Sequence, residues 1–210
     1  MERLRITYTK AEALRYTSNL DVHKIWERLL RRARLPLAYS QGFHPQPRIN
    51  QAAPLPLGFT SQVEMVDFWL EKDLPLEDVK MALVKSAPPG LEIKEIALVD
   101  PHSPSLPTVV RDARYRVILL EPSDEVLLQA KIAELLAAPE SIRERRGRTY
   151  DLRPLIREIT LESNGDGRVT LWMTLSASES ATGRPDEVLL ALDVDPFAAR
   201  IERVELTLVT

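Results

Sequence analysis

The chain has 210 residues, of which 44% are hydrophobic, with no cysteine and a formal net charge of −3. This length allows one large domain or two domains of about 100 residues each. Without cysteine, the chain has neither a disulfide framework nor thiolate ligands for zinc or an iron–sulfur cluster, so we expect it to bind no cofactor. No run of about 18 apolar residues occurs and the N-terminus MERLRITYTK is charged, so we expect a cytoplasmic protein without a membrane span.

Charge is distributed unevenly along the chain. Residues 1–50 carry ten lysines and arginines against four acidic residues, a net +6, whereas the remaining 160 residues carry a net −9. A polyanionic partner is therefore expected for one face rather than for the whole surface. The alternative is an arginine-rich helix face that contacts only solvent.

The first half of the chain predicts the element order β-α-β-β-α-β, the split arrangement called ferredoxin-like. Strand patterns cover 3–8, 48–52, 62–70 and 91–99, and helical patterns cover 19–34 and 76–84. In the helix at 19–34, apolar residues recur at the spacing of one buried face. Ser18 and Asp21 predict a capping box at its start.

Residues 101–112 contain three prolines and no hydrophobic period, which predicts a linker. The earlier pattern then starts again: 114–117 repeats 3–6, 186–192 repeats 77–83, and 201–206 repeats 93–98, at offsets of 111, 109 and 108. Three matches in order at a nearly constant offset indicate an internal duplication. We therefore predict an α+β fold of two tandem ferredoxin-like (βαββαβ) halves, residues 1–100 and 113–210, in a two-lobed protein.

The second half completes the same pattern. A helix is predicted over 122–138, followed by strands over 150–161 and 168–175. The segment Asn164–Gly167, with the sequence NGDG, predicts the hairpin turn between these strands.

A basic helix face and an irregular loop form the candidate nucleic-acid site. The helix cations occur at i, i+4, i+7 and i+8, and therefore share one side. The loop over 38–48 contains Gly42, Pro45 and Pro47 and cannot be a central strand. We expect its aromatic residues to stack on unpaired bases while the cations contact phosphates. The predicted nucleic-acid-binding residues are Lys24, Arg28, Arg31, Arg32, Tyr39, Phe43, His44 and Arg48.

His44 is the candidate catalytic residue, because an imidazole near a basic helix can act as general base toward an RNA 2′-hydroxyl. No second histidine is close in sequence, so a role in ordering the loop or contacting a ligand competes with catalysis. The sequence contains no HxxxH, HExxH, GxGxxG or GxxxxGK motif, and no metal site is predicted.

Several arginines of the second half suggest an anion site. A loop of small residues over 176–185 opens a helix, and its amides are expected to hold an anion together with Arg153, Ser178 and Arg184. The alternative is a flexible helix entry. Four further arginines, which also suit a solvated hairpin tip, cluster just before a predicted strand: Arg143, Arg145, Arg146 and Arg148.

Motifs along nearly the whole chain resemble those of the radical-SAM-linked (radical-SAM-associated) proteins, found beside or fused to radical SAM enzymes. The resemblance rests on RYTSNLD at 15–21, ERLLRRARLP at 27–36, AYSQGFHP at 38–45, APLPLG at 53–58, DLRPLI at 151–156 and RPDEVL at 184–189. It implies a radical SAM enzyme as partner, and no settled activity of its own. This sequence has His44 where members commonly have asparagine, which disfavours a general role for this histidine.

These patterns together predict a non-catalytic RNA-binding protein that helps a radical SAM enzyme to select its substrate. One alternative is a metal-independent RNA-processing endonuclease that uses His44. Another is a protein-interaction scaffold without nucleic acid. The doubled architecture also resembles CRISPR-associated RNA-processing proteins and some RNA pseudouridine synthases, but the Arg-Thr-Asp sequence around the catalytic aspartate of the synthases is missing here.

Overall fold

A computed structural model describes residues 1–165 and 167–209. The chain divides into two compact units, Met1–Val110 and Arg111–Val209, and each is a mixed α+β unit. Asp166, in the predicted NGDG turn, and Thr210 lie outside the described residues. Within the described ranges, no helix has both the length and the apolar character needed to cross a bilayer.

The first unit has the element order that its sequence predicted. Its elements are β1 (Glu2–Lys10), α1 (Asn19–Arg32), β2 (Ile49–Gln51), β3 (Thr60–Leu70), α2 (Leu76–Ser86), β4 (Ile93–Val99) and α3 (Leu106–Val109). The strands lie in the order β4-β1-β3-β2, and each neighbouring pair is antiparallel.

Helix α1 begins and packs as expected. The Ser18 side chain accepts from the Asp21 amide at 3.2 Å and the Asp21 carboxylate accepts from the Ser18 amide at 3.0 Å, which confirms the capping box. Its apolar face is buried in the core, where the Trp26 ring meets Tyr8 of β1 edge-on at 4.9 Å. The helix ends because Arg34 adopts a left-handed backbone (φ 55°) before Pro36.

The segment expected to be a linker without regular structure is partly ordered. It contains α3, and β5 already begins at Val110. Leu106 is fully buried, and the Arg3 guanidinium donates hydrogen bonds to the carbonyls of Ser103 and Pro104 at 2.8 and 2.9 Å. Proline spacing in the sequence indicated a break in periodicity, but it could not reveal these contacts with β1.

The second unit contains β5 (Val110–Leu119), α4 (Glu125–Ala137), β6 (Ile142–Arg145), β7 (Arg148–Asp151), β8 (Ile156–Ser163), β9 (Val169–Ser176), α5 (Pro185–Ala191) and β10 (Ala199–Leu208). Four of its strands lie in the order β10-β5-β9-β8, and β6 and β7 form a separate antiparallel hairpin.

The prediction of a single strand over 150–161 is wrong. The chain ends β7 at Asp151, makes a short 3-10 turn at Arg153–Leu155, and starts β8 at Ile156. Pro154 explains the break, because it has no amide to donate to a strand ladder. The hairpin formed by β6 and β7 was missed, because its strands are rich in arginine rather than alternating with apolar residues.

Candidate nucleic-acid interface

The cations of α1 are exposed, but they are not equivalent. Arg31 lies 3.9 Å from the carboxylate of Glu27, four positions earlier in the helix, and His23 shares that carboxylate at 3.6 Å. Arg32 donates a hydrogen bond to the carbonyl of Ser86, the last residue of α2, and so holds the two helices together.

Lys24 and Arg28 are the available cations of this face. Neither makes a hydrogen bond or an ion pair with any residue in the described ranges. Lys24 does act at longer range: hydrogen bonds from Ser18 hold the pKa of Asp21 below its ordinary value, and the Lys24 charge adds to this effect. Two cations of α1 are therefore free to contact an anionic ligand.

The loop over 39–47 is a closed structure with an exposed tip. Tyr39 and Pro47 form an isolated β-bridge, and the Ser40 amide donates to the Gln46 carbonyl at 2.8 Å. The Gln46 amide donates in turn to the Ser40 hydroxyl at 3.0 Å. These contacts hold the base of the loop, while Phe43 at its tip is 101% exposed. Such a loop presents an aromatic ring to solvent from a fixed base.

Arg48 lies at the base of this loop, beside a cleft of about 370 Å³. Its guanidinium lies over the Trp69 ring, 4.6 Å from the centroid, and the guanidinium of Arg3 lies over the same ring at 5.1 Å. The side chains of Ser40, Gln46 and other polar residues also line the cleft. The cleft therefore combines a cation, an indole ring and hydrogen-bonding groups.

Asp67 supports the cleft from inside the unit. Its carboxylate is completely buried and accepts from Arg3 at 2.6 and 2.9 Å and from Arg5 at 2.8 and 3.0 Å. Arg3 is 1% exposed, so Asp67 supplies the negative charge that allows this guanidinium to be buried against Trp69. Asp67 and Trp69 were not predicted as site residues, because their partners are set by strand register.

The predicted nucleic-acid-binding residues are thus brought together only in part. Arg48 lines the cleft with the base of the loop, Tyr39 is 41% exposed beside Pro47, and the four cations of α1 do not line the cleft. His44 is exposed at the tip and has no hydrogen-bond or ion-pair partner in the described part of the chain. No residue there orients its imidazole, and a catalytic role stays a prediction.

The residues of the predicted anion site do not converge. Arg153 donates from Nε and Nη2 to the Leu136 carbonyl at 2.9 and 2.7 Å, near the end of α4. The Ser178 hydroxyl bonds within its own turn to the Ala181 carbonyl, and Arg184 pairs with Asp186 at 2.6 Å. Arg153 therefore has a structural role at the end of α4, and Arg184 lines a cleft.

That cleft belongs to the second unit and has a volume of about 770 Å³. Its arginines come mainly from the β6–β7 hairpin, and the loop before α5 supplies the other wall. Glu187 is buried behind the hairpin, 3.7 Å from Arg143 and 3.4 Å from Arg145. The lining residues are Arg145, Arg146, Arg148, Tyr150, Asp151, Leu155, Ser180, Ala181, Thr182 and Arg184. Across residues 1–165 and 167–209, no group of three or more acidic or histidine side chains is arranged to hold a metal ion.

Tyr150 is expected to titrate at unusually high pH. Burial and the Glu187 carboxylate, to which its hydroxyl donates, raise the pKa of Tyr150 to about 12. An absorbance titration of the wild type minus that of Tyr150→Phe should show this phenol ionising near that pH instead of at about 10. The unfolded chain loses this proton first, so the tyrosine's contribution to stability is complete below pH about 10 and is lost as the pH rises through the folded value. A midpoint near 10 would contradict the contact with Glu187.

Comparison with known proteins gives one family match and a likeness of fold. A family model described as "Uncharacterized protein conserved in bacteria (DUF2344)" matches residues 3–185. No curated protein matches the sequence. A chain in the crystal structure of a Cbf5–Nop10–Gar1 complex aligns with a TM-score of 0.52 and 11% identity, over 97% of this chain and 48% of that chain.

A second solved structure, an H/ACA RNP bound to a substrate RNA containing 2′-deoxyuridine, aligns at a TM-score of 0.48 and 12% identity, over 96% of this chain and 47% of that chain. The chain thus spans about half the length of the chains that it matches in these two structures. At such low identity, the likeness to the Cbf5–Nop10–Gar1 chain concerns the fold alone.

Proposed function

The chain belongs to DUF2344, a family described as uncharacterized proteins conserved in bacteria, and we propose that it is a non-catalytic RNA-binding partner that recruits substrate for a radical SAM enzyme in the cytoplasm. The observation that carries the RNA-binding part is the fully exposed Phe43 at the tip of the closed loop, beside the cleft of Arg48 and Trp69.

An exposed aromatic residue alone is ordinary on a protein surface. Phe43 differs because hydrogen bonds between Ser40 and Gln46 hold the base of its loop. A ring displayed from a fixed base loses little conformational freedom when an unpaired base stacks on it. Stacking of this kind accepts any base, which suits recognition of single-stranded RNA.

The cleft supplies a contact for the phosphate backbone, which base stacking does not provide. Arg48 has no carboxylate partner within the described ranges, so its charge is available to a phosphate. Arg3 also lies over Trp69, but its guanidinium is buried and paired with Asp67. Lys24 and Arg28 add two further cations from α1. The first unit thus offers an aromatic tip and three uncompensated cations to a flexible polyanion.

We further propose that the fold consists of two tandem ferredoxin-like halves that arose by duplication. The order β4-β1-β3-β2 of the first unit and the order β10-β5-β9-β8 of the second become the same order when β6 and β7 are left out and the remaining strands are numbered within each unit. The β6–β7 hairpin is then an insertion in the second copy. The two copies would then have different roles, because the loop that carries Phe43 lies between the first helix and the second strand of the first copy and has no counterpart in the second.

The radical SAM partner rests on the sequence motifs that resemble the radical-SAM-linked proteins. Because the chain has no cysteine to hold an iron–sulfur cluster, radical chemistry would belong to the partner. Purification of the native protein from bacterial cells, with identification of bound proteins and sequencing of bound RNA, tests this part. Recovery without any iron–sulfur enzyme would remove the partner from the proposal and leave RNA binding to be tested separately.

Phe43→Ala is expected to weaken binding of single-stranded RNA about tenfold, because one aromatic–base stack contributes roughly 1–3 kcal/mol. The measurement is fluorescence anisotropy with a 5′-hydroxyl oligoribonucleotide. Phe197→Ala is the matched control: Phe197 is 94% exposed but lies in the second unit, away from any cleft described above.

Three results would count against this function. Equal affinities of the Phe43 and Phe197 variants would mean that Phe43 makes no stacking contact with RNA. No binding by the wild type would favour a protein-interaction scaffold. Metal-independent cleavage of RNA that disappears in His44→Ala would establish the endonuclease instead.

A further inference from the structure

We propose that the cleft of the second unit, between the β6–β7 hairpin and the loop before α5, binds a phosphate monoester. The proposal concerns the second unit only and does not depend on RNA binding by the first unit. It rests on three features of the cleft: its unbalanced charge, the geometry of the hairpin turn, and the size and chemistry of its walls.

The positive charge of the cleft is only partly balanced within the protein. Glu187 lies close to both Arg143 and Arg145, and Asp186 forms a bidentate pair with Arg184 at 2.6 and 3.0 Å. The carboxylate of Asp151 accepts from the amides of Ser141 and Arg153 at 2.8 and 3.0 Å.

Among the described residues, the positive charges of Arg146 and Arg148 are left without a counterion. Within residues 1–165 and 167–209, neither guanidinium forms a hydrogen bond or an ion pair. Counting the five arginines at or behind the cleft against Asp151, Asp186 and Glu187 leaves a net charge of +2. This charge matches a phosphate monoester, which carries about −1.5 to −2 at neutral pH.

The hairpin turn places like charges together at a cost in stability. Arg145 and Arg148 are directly opposed cross-strand partners, and like charges in that position repel. Between them, Arg146 and Gly147 both have positive φ, 51° and 71°, as a type I′ turn requires. Asparagine or aspartate is favoured at the first of these positions, whereas arginine is strained there. A bound anion would offset both costs, and strained backbone is often found at ligand-binding sites.

The walls of the cleft suit an organic phosphate rather than an isolated ion. Its volume of about 770 Å³ lies within the range of small-molecule sites. Arginine presents a planar fork of donors that matches two phosphate oxygens. Leu155 and Ala181 supply apolar surface, and Tyr150 adds an aromatic edge. The terminal phosphate would therefore lie at the hairpin, with its organic group against the opposite wall.

The test is isothermal titration calorimetry of the full chain with adenosine 5′-monophosphate, adenosine and inorganic phosphate. We expect the monophosphate to bind, and adenosine, which lacks the phosphate, not to bind measurably. Arg148→Gln should raise the Kd for the monophosphate about tenfold, as expected for the loss of one charge-assisted contact. Arg111→Gln, an exposed arginine of the same unit with the same charge change, should leave the Kd unchanged.

Arg146→Asn separates binding from folding. Because asparagine followed by Gly147 is a favoured type I′ turn, the melting temperature should be unchanged or higher while the Kd rises about tenfold. A lower affinity with an intact fold could not be attributed to damage of the hairpin. If neither variant changes the Kd, or if Arg111→Gln changes it equally, the assignment is overturned.

Two sources of the phosphate are distinguished by one further comparison. Tighter binding of the mononucleotide than of a 5′-phosphorylated oligoribonucleotide assigns the cleft to a small phosphorylated molecule. Tighter binding of that oligoribonucleotide than of its 5′-hydroxyl counterpart, with the difference lost in Arg148→Gln, assigns the cleft to a phosphorylated chain end. In both cases Phe43→Ala should leave the Kd for adenosine 5′-monophosphate unchanged. A failure of RNA binding by the first unit can therefore be told apart from a failure of phosphate binding by the second.

Discussion

Replacing Asp67 with asparagine is expected to lower the free energy of unfolding by about 3–5 kcal/mol. Asp67 is 0% exposed, and Arg3, which it pairs with, is 1% exposed. The amide keeps the shape of the carboxylate but removes its charge, so the buried guanidinium of Arg3 would lack a counterion. The loss of one partner of a buried pair costs far more than the intact pair contributes, because the remaining charge stays desolvated.

Urea denaturation followed by tryptophan fluorescence measures this loss. Trp26 and Trp69 lie in the first unit and Trp172 in the second, so in a Trp172→Phe background the signal reports unfolding of the first unit. The control is Glu92→Gln, which removes a carboxylate of the same unit that is 67% exposed and pairs with Lys94 at 2.9 Å. We expect that change to cost less than about 1 kcal/mol. Equal effects of the two substitutions would mean that Arg3 reaches solvent and that Asp67 does not hold it.

The same substitution should affect the cleft. Arg3 lies over Trp69 because Asp67 and the carbonyls of Ser103 and Pro104 hold its guanidinium. Without the carboxylate, the Trp69 ring loses one support, and Arg48 stacks on a less ordered surface. RNA affinity should therefore fall together with stability in Asp67→Asn, whereas Phe43→Ala lowers affinity alone.

Local signals in the sequence were sufficient to predict α1. The capping box at Ser18 and Asp21, the buried face that includes Trp26 and the ion pair of Glu27 with Arg31 all join residues within four positions of each other. Such contacts depend only on the helical repeat, which the sequence displays directly. The exposed, irregular loop that follows was predictable for the same reason, because glycine and proline act on their own backbone.

Contacts between distant strands were not predictable in this way. The pair of Arg5 and Asp67 requires the register of β1 on β3, in which these two residues are direct partners. A shift of one residue would turn Asp67 to the other face of the sheet, so alternation alone cannot assign its partners. The hydrogen bond from Arg32 to Ser86 similarly requires the packing of α1 against α2.

The β6–β7 hairpin was missed for a different reason. Its turn contains Gly147, but the residue before it is Arg146 instead of the asparagine or aspartate that marks a type I′ turn. Its strands carry charges where an ordinary half-buried strand carries apolar residues. A segment that violates local rules in this way is a candidate functional site, and here the violation coincides with the largest cleft described above.

Replacing both Lys24 and Arg28 with glutamine should make RNA binding markedly less sensitive to salt. These two cations are exposed and unpaired, whereas Arg31 lies near Glu27 and Arg32 bonds to Ser86, so neither of the latter is suited to this test. Each phosphate contact on a single strand contributes a slope of about −0.7 to the dependence of log K on log salt. Loss of two contacts should reduce the slope by about 1.4, so over a tenfold rise in salt the wild-type affinity falls about 25-fold more than that of the variant.

The matched control for this pair is Lys72→Gln with Lys85→Gln, which removes the same charge from exposed positions of the same unit. Both double variants lower the net charge equally, so a general electrostatic attraction would reduce the two slopes alike. If α1 contacts RNA, only the slope of the Lys24 and Arg28 variant is reduced. Melting temperatures of both variants should stay close to that of the wild type, because exposed charges contribute little to folding. If the slope of the Lys24 and Arg28 variant equals that of the control, the face of α1 contacts solvent or protein, and Phe43 with Arg48 must carry RNA binding alone.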